Sequence, residues 1–290
     1  MVYLILLLGI GVSSSAAILI RISESAPFVI AAYRMIFTTA LLLPYTLLKH
    51  RDETIDIIRT RTLPLLLSGG LLALHFASWI SSLSHTSVAS SAFLVTTNPI
   101  FVGIGAWLIL REPPGSRLVV GTLVALAGTF WISYGDLVNG EHALYGDLLA
   151  VGGAIAMSGH LLAGRKLRRN VTLTPYVTVV YAISAVILVG FVLGSGLSLS
   201  GHDDRELAIF LALAAGPQLL GHTSFNYALG RLSPSLLALI MLVEPIFSSS
   251  LAFAILRESP SPDTMEGGAI ILSGIAVALA RQRQPAPEIP

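Results

Sequence analysis

Three residues carry chemistry foreign to the apolar runs that hold them: Arg34, Asn98 and Glu244. Arg34 lies about seven residues into a run over 27–48, and an arginine inside a bilayer costs about 2.5–3.5 kcal/mol on insertion scales. That cost is offset where the guanidinium faces a polar cavity and binds a carboxylate. It is also offset where the side chain snorkels to an interface, which about 10 Å of helix would permit. Glu244 precedes Pro245, and Asn98 precedes Pro99. Proline has no N–H for the carbonyl one turn earlier, so each dipeptide marks a weakened polar point within its run. A carboxylate at such a point could carry a proton, or hold helices together in a static ion pair with Arg34.

Two four-residue spacings place further side chains on single helical faces: His75 with Trp79, and Gln218 with His222 and Asn226. Together with Tyr33 they read as the lining of a cavity, where Trp79 and Tyr33 offer stacking surface and the others hydrogen bonds. Each histidine alone is more often a satisfied packing residue than a substrate contact. His160, close to Arg165 and Lys166, is expected at an interface. Ser13, Ser14 and Ser15 could line a cavity, but close packing is the better reading of them. Asp147 reads as a helix cap.

The elements that must position these residues are membrane helices. Of the 290 residues, 54% are hydrophobic and 11% charged, with a mean hydropathy of +0.81. A soluble domain carries about 25% charged residues. The runs are continuously apolar rather than alternating, which favours helices over a barrel. Expected helices cover 2–20, 27–48, 62–83, 87–110, 117–134, 145–165, 173–195, 207–229, 235–256 and 264–281. At about 20 residues each, ten such spans leave no room for a separate soluble domain. The first run lacks a basic leading segment and a convincing cleavage pattern, so it is expected to stay as a span.

All Lys and Arg except Arg21, Arg34, Arg205 and Arg257 fall on the side of the N-terminus. The positive-inside rule then places both termini in the cytoplasm, in a multi-pass protein of the cytoplasmic (inner) membrane. The sequon Asn170-Val171-Thr172 falls on the cytoplasmic side and is discounted.

A single offset aligns Pro99 with Pro245, Ile100 with Ile246, Phe101 with Phe247, Leu110 with Leu256, Arg111 with Arg257 and Glu112 with Glu258. It continues through Pro114 with Pro260, Gly121 with Gly267 and Gly128 with Gly274. Farther upstream it drifts slightly, pairing Pro27 with Pro175 and Tyr33 with Tyr181. The chain therefore reads as two five-helix repeats, 1–140 and 141–290, the second with a short polar tail. Five is odd, so the second repeat enters the membrane inverted, an arrangement suited to alternating access around a central site. The Gly121/Ala125/Gly128 and Gly267/Gly274/Ala278 stripes read as close-contact faces, within or between subunits.

This pattern of ten spans in two halves, each closing with a P-[IL]-F-x(8)-L-x-E-type segment and a Gly-rich helix, resembles the EamA branch of the drug/metabolite transporter superfamily. The best-matched parts are Asn98-Pro99 through Glu112 and Glu244-Pro245 through Glu258, with Arg34 matching a recurrent arginine. Arg111 and Arg257 depart from the pattern, standing where many members have glycine. That departure weakens the transfer of any role for the adjoining glutamates. The resemblance implies an exporter of small metabolites, amino acids among them, including aromatic ones.

Other classes find little support. Zero cysteines exclude disulfides, thiolate metal sites and cysteine nucleophiles. A net charge of +1 gives no footing for nucleic acid. There is no phosphate-binding Gly/Lys loop for ATP, and Asp203-Asp204 reads as a solvated turn rather than a metal site. No cofactor is expected. The rivals to a carrier are an enzyme acting on a lipid-linked substrate, which clustered carboxylates or histidines would mark, and a passive facilitator or channel. The expected partners are a small-molecule substrate, the lipid bilayer and, as candidate coupling ion, the proton; no oligomeric state is assigned.

The orientation is testable directly. A fluorescent protein fused after Pro290 is expected to fold and fluoresce, and alkaline phosphatase at the same point to stay inactive; the reverse pattern would overturn cytoplasmic termini.

Overall fold

In a bilayer every backbone polar group must find a partner within its own segment or an adjoining one. The computed structural model describes residues 1–86, 91, 94–139, 144–256 and 262–280, and among them the regular structure is entirely helical. Arg257, Glu258 and Pro260 of the repeat, and Arg281 and Arg283 of the charge pattern, lie outside the described residues.

The helices are α1 (Val2–Ser13), α2 (Ala16–Ile22), α3 (Pro27–Lys49), α4 (Arg51–Thr60), α5 (Thr62–Ser82), α6 (Asn98–Gly105) and α7 (Ser116–Asn139). They continue with α8 (Leu144–Arg168), α9 (Leu173–Gly194), α10 (Asp204–Leu213), α11 (Thr223–Leu229), α12 (Pro234–Met241), α13 (Glu244–Leu256) and α14 (Pro262–Leu279). Six stretches among the described residues are long and apolar enough to cross a membrane: Val2–Ile22, Pro27–Lys49, Thr62–Ser82, Leu144–Arg168, Leu173–Gly194 and Asp204–Leu229. Shorter apolar helices occupy Asn98–Leu110, Ser116–Trp131, Pro234–Ser248 and Met265–Leu279.

Several expected helices are interrupted. The 2–20 run turns at Ser14–Ser15, where the Ser14 hydroxyl donates to the Ile10 carbonyl at 2.8 Å and the Ser15 hydroxyl to the Val12 carbonyl at 2.8 Å. Serines bonding back into the ladder weaken it and bend the helix. The 235–256 run breaks at Leu242–Val243, immediately before Glu244-Pro245. Wider π-helical turns run over Ala106–Leu110 after α6, and over Ala214–His222 between α10 and α11. One element was not anticipated. α4 is a helix in a stretch expected to be a connection, with Asp52 and Glu53 in its first turn and Arg59 in its last, the polarity that suits the helix dipole.

Two apolar clusters hold the bundle. One gathers Met35, Phe76, Tyr176, Leu188 and Phe210 from α3, α5, α9 and α10. The other gathers Leu6, Ile10, Val102, Leu237 and Ile271 from α1, α6, α12 and α14. Large apolar side chains also face outward, among them Leu48 at 81% and Val186 at 73% exposure, a surface that suits lipid rather than water.

Lipid tails are as apolar as the helices, so helices associate through close packing, and small residues permit it. The two glycine stripes meet one another: a Cβ on Gly121 would lie 2.5 Å from the Gly274 carbonyl oxygen, and one on Gly128 would lie 2.6 Å from that of Gly267. The close-contact faces of α7 and α14 therefore pack together within one chain.

Arg111 explains its own departure from the family pattern. It ends the π-helical segment at φ 57° and ψ 31°, the left-handed conformation that glycine adopts without penalty. The next N–H, of Glu112, returns to the Ala106 carbonyl at 2.9 Å.

Gly274→Ala tests the packing of α7 against α14. The added methyl meets backbone, so a loss of about 1–3 kcal/mol is expected, read as a lower thermal midpoint of the purified protein. Gly190→Ala, whose Cβ meets nothing within 4 Å, should melt no lower than wild type.

Candidate functional site

Arg34 on α3 is completely buried. Its Nε donates to Gln218 Oε1 at 2.8 Å, and its guanidinium carbon lies 4.3 Å from the centroid of the Phe76 ring. Nη1 and Nη2 have no hydrogen-bond partner among the described residues. The Thr38 hydroxyl donates to the Arg34 carbonyl at 2.7 Å and to the Ala214 carbonyl at 3.1 Å, joining α3 to the start of the π-helical segment. That segment contains Pro217 and aims Gln218 at the guanidinium.

The Arg34 guanidinium forms part of the wall of a cavity with about 110 Å³ open to water-sized molecules. The other lining residues come from the interrupted helices and their neighbours: Ser13, Ser14, His75, Trp79, Val95, Asn98, Met157, His222, Met241, Leu242, Glu244 and Ser248. His75 Nδ1 donates to the Gly153 carbonyl at 3.0 Å, and its ring stacks on Trp79 with centroids 6.0 Å apart and planes 7° from parallel. The His222 ring lies 6.4 Å from that of His75. The Asn98 carbonyl accepts from the Ser158 hydroxyl at 3.1 Å.

Glu244 sits in the first turn of α13, facing the turn between α1 and α2. Its Oε1 accepts from the Ser13 hydroxyl at 2.9 Å, and its backbone carbonyl accepts from the Ser14 hydroxyl at 3.1 Å. The Ser248 hydroxyl donates to the Ser14 carbonyl at 3.3 Å. Arg34 and Glu244 line the same cavity and their charges interact, yet neither terminal guanidinium nitrogen bonds the carboxylate. An anion and a cation could thus each find an opposite charge in one chamber.

Six of the residues singled out in the sequence meet at this cavity: Arg34, His75, Trp79, Asn98, His222 and Glu244. Three do not line it. Tyr33 donates to the Leu199 carbonyl and stacks on Phe210, with centroids 4.7 Å apart, beside His202. Gln218 lies behind Arg34 and orients it. Asn226 donates to the His222 carbonyl at 3.0 Å and to the Tyr181 hydroxyl at 3.4 Å. The shared face expected for Gln218, His222 and Asn226 assumed 3.6 residues per turn, and wider π turns change that phase.

Further corrections concern polar residues elsewhere. His160 is buried within the bundle, with Nδ1 3.0 Å from the Ser68 hydroxyl, which in turn lies 2.9 Å from the Tyr176 hydroxyl. Asp147 stands in the first turn of α8 and accepts from the Thr86 hydroxyl at 2.8 Å. Ser13 and Ser14 line the cavity as well as serving packing. Val95 and Met241 were missed, although a signal existed: each lies one turn before a repeat-related proline, Pro99 or Pro245.

Gln218→Leu would leave the buried Arg34 Nε without its acceptor, at a cost of about 1.5–3 kcal/mol. A matching fall in thermal stability is expected. Gln218→Glu, which keeps an acceptor, should melt near wild type.

Comparison with known proteins agrees with this architecture. The EamA-like transporter family matches residues 1–134 and again 144–280. An uncharacterized transporter of Archaeoglobus fulgidus is 25% identical, over 97% of this chain and 98% of its own. The uncharacterized transporter YcxC of Bacillus subtilis is 27% identical, over 88% of this chain and 85% of its own. A solved crystal structure shares the fold with a TM-score of 0.82, covering 96% of each chain at 20% identity. With the family pattern matched in both halves, the chain belongs to the EamA-like transporter family.

Proposed function

We propose that this family member is a secondary transporter that exports small carboxylate-bearing metabolites, amino acids first among them, by alternating access. The observation that carries this reading is Arg34, a chamber-lining residue whose fully buried guanidinium is hydrogen-bonded through Nε, while Nη1 and Nη2 have no hydrogen-bond partner among the described residues. A planar guanidinium with two open nitrogens suits a carboxylate in a bidentate pair. Trp79, stacked on His75, offers an apolar face to the rest of the substrate, aromatic side chains included. Asn98 and His222 supply further polar contacts, and Glu244 offers a place for a coupling cation, the proton being the one suggested by the sequence. Tyr33, Gln218 and Asn226 act on this site indirectly, through the packing and hydrogen bonds that hold its walls.

The reading includes ten spans in two inverted five-helix halves, 1–140 and 141–290, in the cytoplasmic membrane with both termini inside. Two features support it. The family pattern matches twice along the chain. The turn before α6 and the turn before α13 also share their bonds: Ile100 N–H to the Thr97 carbonyl at 3.0 Å, and Ile246 N–H to the Val243 carbonyl at 3.0 Å. Two like halves with interrupted helices at a central chamber are what a rocking mechanism requires.

Counterflow in proteoliposomes loaded with a panel of amino acids tests the reading. Saturable exchange is expected for wild type and a loss of at least about tenfold for Arg34→Ala, equivalent to one charge-assisted pair. Arg34→Lys, which keeps charge without the planar fork, should fall between them. An Arg34→Ala protein that is folded and exchanges like wild type would overturn the site, and non-saturable flux would favour a pore.

A further inference from the structure

We propose that the chamber also binds a monovalent cation of sodium size, at the point where the interrupted helices α1/α2 and α12/α13 face one another. The inference rests on the reading of this chamber as a transport site and names the cation that would act at Glu244.

The oxygens that gather there are of the right kind. Ser13 on α1 donates to Glu244 Oε1, so its hydroxyl oxygen keeps lone pairs beside the carboxylate. Ser248, one turn on from Glu244, brings its hydroxyl to the same wall. Met241 lies at the end of α12, and its carbonyl is the one that Pro245, lacking an N–H, cannot serve; Val95 stands in the same relation to Pro99. Carboxylate, hydroxyl and carbonyl oxygens are the ligands of hard cations. Helices broken at mid-membrane place such oxygens together without leaving backbone groups facing lipid.

The charge count selects a single positive charge. One carboxylate lines the chamber, and Arg34 stands across from it. A divalent ion would leave an uncompensated charge in a low-dielectric interior, and no group of three metal-binding side chains occurs among the described residues. With a carboxylate substrate on Arg34 and a monovalent cation on Glu244, both protein charges are neutralised. Each ligand then lowers the cost of binding the other, giving coupling without direct contact. A proton would need only one oxygen of Glu244, whereas Ser13, Ser248 and Met241 line the same cavity and could add oxygens for a larger ion.

The test is direct binding of radiolabelled sodium to the purified full-length protein, with choline chloride holding ionic strength constant. Saturable binding is expected for wild type. It should be lost in Glu244→Gln and weakened about tenfold in Ser13→Ala and in Ser248→Ala, each of which removes one oxygen. Melting curves identify variants that fail to fold, and the two serine variants keep the test decisive if Glu244→Gln is one of them. Absence of saturable binding by folded wild type, or binding unchanged in both serine variants, overturns the proposal. Counterflow separates this inference from the transport reading. Exchange that persists when sodium is replaced by choline, and responds instead to pH, overturns the sodium site and leaves the carrier standing. Sodium binding without exchange of any amino acid supports the cation site and sinks the amino-acid assignment.

Discussion

The structure is organised around one difficult placement, a guanidinium fully buried in a chain built for lipid. A charge in that setting is tolerated only with partners, and those of Arg34 are drawn from separate parts of the chain: Gln218 at its Nε, the Phe76 ring against its face, and the charge of Glu244 across the chamber. Each partner sets a requirement on the fold. Gln218 must be turned inward, which the π-helical segment achieves. Phe76 must come from α5, which brings His75 and Trp79 with it. Glu244 must face inward from α13, and the turn at Leu242–Val243 places it at the start of that helix. The chamber is the space left between partners that approach the guanidinium without saturating it.

Partial satisfaction is the feature with functional meaning. A structural arginine in a core is normally bonded through all its nitrogens, because each unpaired donor in a dry interior carries a desolvation cost. Here Nε is paired, and Nη1 and Nη2 have no hydrogen-bond partner among the described residues. The scaffold around the chamber is by contrast tightly tied. His75 is held by the Gly153 carbonyl, Asn98 by Ser158, and the α1/α2 turn by hydroxyl bonds to Glu244 and Ser248. The ends of the bundle are tied as well. Glu206 accepts from the Ser23 and Ser25 hydroxyls at one end, and Glu112 pairs with Arg165 and Arg169 at the other. These ties join segments far apart in sequence.

Helix packing in this chain relies on surfaces rather than on apolar drive. The α7 and α14 contact, glycine on glycine, brings the last helix of the first family match against the last helix of the second. The left-handed Arg111 ends the preceding segment at a point where its side chain reaches solvent. A left-handed position that glycine would adopt without penalty is therefore filled by a charged residue at the cost of about 1–2 kcal/mol of backbone strain.

The sequence by itself determined the helical membrane character, the family, the repeat and the few residues worth watching. Those follow from composition, from periodic hydropathy and from residue types out of place in apolar runs, all of them local properties. It also marked Asn98-Pro99 and Glu244-Pro245 as weak points, because the missing proline N–H is a covalent fact. Only the tertiary structure decided which side chains meet. Tyr33 left the site to pack on Phe210, and His160 is buried against Ser68. Ser13, Ser14 and Ser248 joined the chamber across more than two hundred residues of chain. The physical reason is phase and turning. A regular α-helix lets spacing predict a face, but serine back-bonding, proline and π turns change the residues per turn and the axis direction, and their combined effect is set by helices packed against them from distant parts of the chain.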